Sequence, residues 1–88
     1  MRVRFQNKAY QLVITDHARA RMALRNIDEE SIADIIENGE VKEKHMKNKF
    51  WVFKKMRLDK NSYCCCSISL ETPNLVVITA LLNWRPEL

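Results

Sequence analysis

The chain contains one glycine and two prolines among 88 residues. That scarcity rules out a glycine-rich phosphate cradle. With no repeat, low-complexity stretch or linker either, the connections should be short and carried by Asn, Asp and Lys. Cysteine is concentrated in a single run, Cys64, Cys65 and Cys66. An odd number of consecutive cysteines, alternating between strand faces, does not suit a disulfide framework. No Cys-x-x-Cys spacing is present for zinc. The thiols are expected to be reduced and to serve as small apolar strand residues. No apolar run approaches the ~20 residues of a membrane span. The start of the chain alternates charge with apolar residues (Arg2, Val3, Arg4, Phe5) and lacks the apolar core of a signal peptide. A cytoplasmic protein away from the membrane is expected, with no metal and no cofactor.

What is present describes one folded domain. The composition, 47% hydrophobic and 30% charged, is too apolar for a disordered chain. A chain of this length buries roughly 60–70% of its unfolded surface. It then folds alone with a margin on the order of 5–10 kcal/mol.

The net charge of +4 conceals a pattern. Residues 1–25 carry six basic and one acidic side chain, and residues 26–43 carry one basic and seven acidic. Residues 44–60 return to seven basic and one acidic. Two basic blocks around an acidic helix suit a surface with one positive side, as a polyanion binder needs. A solvated surface without a partner is the alternative.

Residues 9–14 read as a strand, and residues 2–5 can pair with it through Gln6-Asn7-Lys8. Thr15 or Asp16 caps a first helix over roughly residues 16–25. Ala18 and Met22 should face the core with Leu24 nearby. Asn26 suits the left-handed residue that ends a helix. Asp28 caps a second helix, with Glu29 and Glu30 in its first turn. Ile27 and Ile32 can form a hydrophobic staple. Ile32, Ile35 and Ile36 form the buried stripe, and Gly39 marks the stop. Strands follow at 49–57, 62–70 and 75–82, with turns at Asp59-Lys60-Asn61 and Thr72-Pro73-Asn74. The expected class is α+β: two N-terminal helices packed on one face of an antiparallel sheet.

Alternation divides that sheet. One face should carry Phe50, Val52, Met56, Cys64, Cys66, Ile68, Leu70, Val76, Ile78, Ala80 and Leu82, interrupted by Lys54, and lie under the helices. The other should carry Trp51, Phe53, Lys55, Arg57, Tyr63, Cys65, Ser67, Ser69, Val77 and Thr79. Aromatic planes stack on unpaired bases, and Lys or Arg neutralises phosphates. The second face is therefore a candidate RNA surface, or else a minor core covered by the N-terminal hairpin or a partner chain.

His17, Arg21 and Arg25 are spaced four apart and form one row on the first helix. Arginines at that spacing repel unless a phosphate, or an acid such as Asp34 or Glu37, answers them. His17 sits in the first turn, where the helix dipole disfavours a cation and an imidazole can accept a proton. A packed helix-start histidine is the plain alternative. His45, in the basic stretch 42–47, reads as an exposed loop residue. Paired carboxylates occur only on the acidic helix, and no Ser-His-Asp arrangement is present.

The segment Thr15-Asp16-His17-Ala18-Arg19-Ala20-Arg21-Met22-Ala23-Leu24-Arg25-Asn26-Ile27, the acidic helix ending at Asn38-Gly39, and Val76-Val77-Ile78-Thr79 together resemble a group of small bacterial proteins. That group is known only as a domain of unknown function near the RelE-like toxin superfamily. The resemblance covers roughly residues 12–82. It implies a RelE-like fold, with two helices on a curved antiparallel sheet. It also implies metal-independent RNA cleavage, in which the ribose 2′-hydroxyl attacks the adjacent phosphate. His17 would then be the base or acid, with Arg21 assisting, and Thr79 would orient the substrate. Arg25, Trp51, Lys55, Arg57 and Tyr63 would bind it. The partners implied are RNA and an acidic antitoxin protein. The chain departs from the group at Asn26, where Gly is frequent, and after Thr79, where Ala80 and Leu81 replace an aromatic. A non-catalytic RNA- or protein-binding module would use the same face. A homodimer would instead use Trp51, Phe53 and Val77 as an interface.

Overall fold

A computed structural model describes residues 1–55 and 63–84. The chain opens with the hairpin β1 (Arg2–Phe5) and β2 (Lys8–Ile14), followed by α1 (Asp16–Arg25) and α2 (Glu29–Asn38). It then forms β3 (Glu40–Glu43), β4 (Lys49–Lys54), β5 (Tyr63–Glu71) and β6 (Asn74–Trp84). One curved sheet has the order β1-β2-β6-β5-β4-β3. The helices pack on one of its faces around Ile32, Ile35, Ile68, Leu75 and Val77, all fully buried. The α+β class is as expected. Among the described residues, no helix is long and apolar enough to cross a membrane.

Local chemistry accounts for the helices. The Thr15 hydroxyl accepts the Ala18 N–H at 3.0 Å and satisfies an otherwise open donor of α1. Asn26, at φ 57°, closes the helix in the left-handed region. The Asp28 carboxylate accepts the Ser31 N–H at 2.8 Å. That bond holds its carboxyl below the usual carboxylate value. Ile27 is partly buried against the core cluster to which Ile32 belongs. Gly39 ends α2 for a reason other than handedness, since its backbone is extended. A Cβ there would lie 2.5 Å from the Ile35 carbonyl oxygen and 2.6 Å from that of Phe53. Glycine lets the end of α2 meet β4.

Several expectations need correction. The sheet is mixed, because β2 and β6 run parallel. After the helical pair the chain enters at the far edge, and three reversals bring β6 back alongside β2 in the same direction. Residue periodicity carries no information about strand direction. Strand β3 was not expected, since all four of its residues are exposed and give no apolar alternation. Leu24 is 76% exposed. It lies two positions from Met22, more than half a turn away from the buried stripe. In β6 it is Leu75 and Val77 that enter the core, not Val76 and Ile78. A register shift opposite Ser67 and Ile68 makes Ile78 the extra residue and restores the expected sides at Thr79 and Ala80. A second shift lies between Tyr63 and Cys65, and Leu82, expected on the core face, is 37% exposed. Met56, Arg57 and the expected turn Asp59-Lys60-Asn61 lie outside the described residues.

Candidate functional site

The face without helices is organised in rows across the strands. Lys42 on β3 lies opposite Trp51 on β4, Trp51 opposite Ser67 on β5, and Ser67 opposite Thr79 on β6. One row away lie Phe53 and Cys65, and on the other side Lys49 pairs with Ser69. The bulge at Ile78 brings Thr79 into this set.

Two lysines reach over the sheet. Lys44 Nζ donates to the Ser67 hydroxyl and stands 4.0 Å from the centroid of the Trp51 ring. An ammonium over an indole is attracted by the negative ring face. Lys49 Nζ donates to Ser69 Oγ at 2.9 Å, and that hydroxyl donates to Glu71 Oε2 at 3.2 Å. Ser67 and Ser69 are buried, so each hydroxyl has its partner where water cannot supply one. Partial burial lowers the Lys44 pKa from its ordinary value, and the neighbouring Lys49 charge adds to this.

Aromatic rings close the remainder of the face. Phe53 meets Tyr63 edge-on at 5.6 Å between centroids and Trp84 at 4.9 Å. Trp84 also lies 5.7 Å from Trp51. Such contacts are favourable beyond the area they bury. They cover Phe53 and Cys65, both buried. The three thiols are free and buried. Burial raises the Cys64 thiol to about 11 and the Cys65 thiol to about 12.

The residues singled out from sequence fall into two groups. Trp51, Tyr63 and Thr79 lie together on the helix-free face. Lys55 follows β4 and is exposed, and Arg57 lies outside the described residues. His17 and Arg21 are exposed on α1. No side-chain hydrogen bond or ion pair joins either to another described residue. Thr15 ties the start of that helix to β6, its hydroxyl donating to the Ile78 carbonyl at 3.2 Å. Arg25 is half-buried, and its charge acts on Cys64, on the helix side of the sheet. The acids considered as its partners are engaged elsewhere. Asp34 pairs with Lys54 at 2.7 Å, which lowers its pKa, and Glu37 accepts the Arg4 N–H at 3.0 Å. His45 is exposed, as expected, and lines an open cavity of about 440 Å³ in the β3–β4 connection.

Sequence reasoning missed Lys44, Lys49 and Trp84. The Lys49–Ser69 pair is legible only once strand register is known. No group of three His, Cys, Asp or Glu side chains among the described residues is placed to hold a metal.

The family model of a domain of unknown function, DUF4258, matches residues 14–81. The chain belongs to the DUF4258 family. No curated protein and no solved structure matches it. The DUF4258 match runs from the end of β2 through Leu81. Both helices and the whole row from Lys42 to Thr79 are therefore family territory, whereas β1, most of β2 and Trp84 lie outside it.

Proposed function

We propose that this domain acts on RNA as a toxin of the RelE-like kind, binding single strands across the helix-free face and cleaving without a metal ion. The observation that carries the proposal is the cluster of Lys44, Trp51, Ser67 and Thr79. An indole beside ammonium groups offers a plane for an unpaired base and charge for its phosphate. Lys49 and Lys55 extend the positive edge, and Arg57 follows in sequence. Tyr63 adds a second ring. In the cleavage step the 2′-oxygen bonds to phosphorus as the 5′-oxygen leaves, giving a cyclic phosphate. His17 takes or supplies the proton. Arg21 and Arg25 offset the charge on phosphorus, and Thr79 orients the strand. A cytoplasmic location agrees with three unpaired thiols. An acidic antitoxin would match the same lysines.

A second reading is favoured by a specific observation. His17 and Arg21 have no bond to the Trp51 face, and Arg25 sits beside Cys64. A module that binds RNA without cutting it needs only the face.

Expression in a bacterial host, followed by incubation of purified protein with RNA, separates the two. Cleavage and growth arrest, both relieved by His17→Ala, are the expected result. Salt-sensitive binding that weakens in Lys55→Ala and Arg57→Ala, with RNA left intact, would establish the second reading in its place. Neither binding nor cleavage would end both.

A further inference from the structure

The connection between β3 and β4 is tied by its own backbone. The Lys44 N–H donates to the Lys49 carbonyl at 3.1 Å, and the Lys49 N–H donates to the Met46 carbonyl at 3.3 Å. Asn48 adopts the left-handed conformation at φ 61°, and its carbonyl accepts the Leu70 N–H at 2.8 Å from β5. This loop frames the open cavity of about 440 Å³, a size common to small-ligand sites. Four of the side chains lining it are basic, Lys44, His45, Lys47 and Lys49, against the single acid Glu43.

The four differ in engagement. Lys44 and Lys49 are anchored on Ser67 and Ser69. An ammonium has three donors, and each lysine uses one on its serine. The Lys49 charge disfavours that of Lys44, a repulsion that an anion in the cavity would relieve. His45 and Lys47 are exposed, and neither side chain has a hydrogen bond or ion pair among the described residues. Lys44 belongs both to the cavity and to the Trp51 cluster, so the cavity opens beside that ring.

Charge selects the ligand. Three lysines against one glutamate leave +2 before any contribution from His45. A phosphodiester inside a strand carries a single negative charge. A phosphate monoester carries about −1.5 to −2 at neutral pH and offers three acceptor oxygens. The monoester is the better match in charge and in number of acceptors.

We infer that the β3–β4 loop is a phosphate-monoester subsite, which receives the phosphorylated end of an RNA strand lying on the helix-free face. This inference rests on the RNA reading above. His45 and Lys47 close on the phosphate oxygens, and the two anchored lysines join the cavity to the face. The base of the terminal nucleotide then lies toward Trp51. The 5′ and 3′ ends of RNA share this chemistry, and the test separates them.

Three single strands of one sequence are titrated into the full chain at one salt concentration. They carry a 5′-phosphate, a 3′-phosphate or hydroxyls at both ends, with 2′-O-methyl ribose throughout so that no 2′-hydroxyl can attack. One phosphorylated strand is expected to bind at least about tenfold more tightly than the hydroxyl strand, as one or two charge-assisted hydrogen bonds provide. The strand that gains identifies the end. Replacing both exposed cations, His45→Ala with Lys47→Ala, should bring that ratio to within about twofold of unity, with an unchanged circular dichroism spectrum. Lys8→Ala removes a charge from the hairpin at the opposite edge of the sheet and should leave the ratio as it is. A wild-type ratio near unity would overturn the inference and leave the RNA reading standing. A ratio lowered as much by Lys8→Ala as by the cavity variant would also overturn it, because general attraction would then account for the preference. Absence of binding to all three strands, and to the same strand with free 2′-hydroxyls, would remove the RNA reading and this inference with it.

Discussion

The two faces of the sheet are set by neighbouring residues on the same strands, and they exclude water by different means. On the helix side, Cys64, Cys66 and Ile68 lie beneath isoleucines delivered by α2. On the other side, Cys65, Ser67 and Ser69 are buried to a similar degree, under lysine heads and tryptophan rings from the sheet and its loops. The first cover is apolar and has no further capacity for interaction. The second consists of groups that remain able to bind. An ammonium on a hydroxyl can exchange it for a phosphate, and a ring at a cluster edge can accept a base. Stability and, on the proposed function, recognition thus fall to alternate residues of β4 and β5, which the period-2 geometry of a strand allows.

The largest effect should come from breaking the helix side. Ile35→Ala removes a fully buried side chain from the α2 stripe. It should cost about 2–5 kcal/mol in urea unfolding, leaving little of the domain's stability. If Trp51→Ala destabilises the fold more than Ile35→Ala, the helix-free cluster is the main core and the division proposed above is wrong.

The thiols give a sharper comparison of the two covers. Cys64 lies under the helices, and Cys65 lies under the aromatic and lysine cover. With values near 11 and 12 against an ordinary 9.0, each should be mostly thiol at pH 8. Reaction with a thiol reagent should be at least about a hundredfold slower than in the unfolded chain. Mass mapping of the labelled site distinguishes them. Rapid labelling of Cys65 while Cys64 stays protected would mean that the helix-free cover opens readily. Next in size is recognition itself. Trp51→Ala should weaken binding of single-stranded RNA by about 1–3 kcal/mol, the usual worth of one stacked base. Affinity unchanged by titration would remove Trp51 from the site.

The helices were the most legible part of the chain, because their signals are local. Thr15, Asn26 and Asp28 act within a few residues of themselves, and the spacing of Ile32, Ile35 and Ile36 defines a face unaided. The sheet was legible only up to its first irregularity. Alternation placed Trp51 correctly because β4 and β5 keep strict register there, and Tyr63 meets Phe53 on the same face, as expected. It misplaced Val76 and Val77 because a bulge depends on the partner strand. Strand β3 has no buried residue to reveal it. The lysines of the site escaped notice for a related reason. Lys44 reads as part of a solvated basic connection until Ser67 and Trp51 are known to lie beneath it. The His17 row was visible as a pattern, but a helical row does not disclose which side of a sheet it will serve.

The smallest effect concerns Lys44 and turns on sign. Burial lowers its pKa below 10.5, so between that lowered value and 10.5 the unfolded chain holds more protons at this residue than the folded one. Stability from Lys44 therefore rises with pH across that window. The thiols act in the opposite direction. Their folded values are raised, so above about 9 the unfolded chain loses protons first and stability falls. Three cysteines outweigh one lysine, and the domain should weaken as pH climbs from 8 to 10. Lys44→Gln removes the opposing contribution, so its urea midpoint should fall more steeply over the same range than that of wild type. Parallel slopes in the two proteins would mean that the Lys44 ammonium is fully solvated. Its position over Trp51 would then be one of many that it visits, and the helix-free face would lose the feature that distinguishes it from an ordinary charged surface.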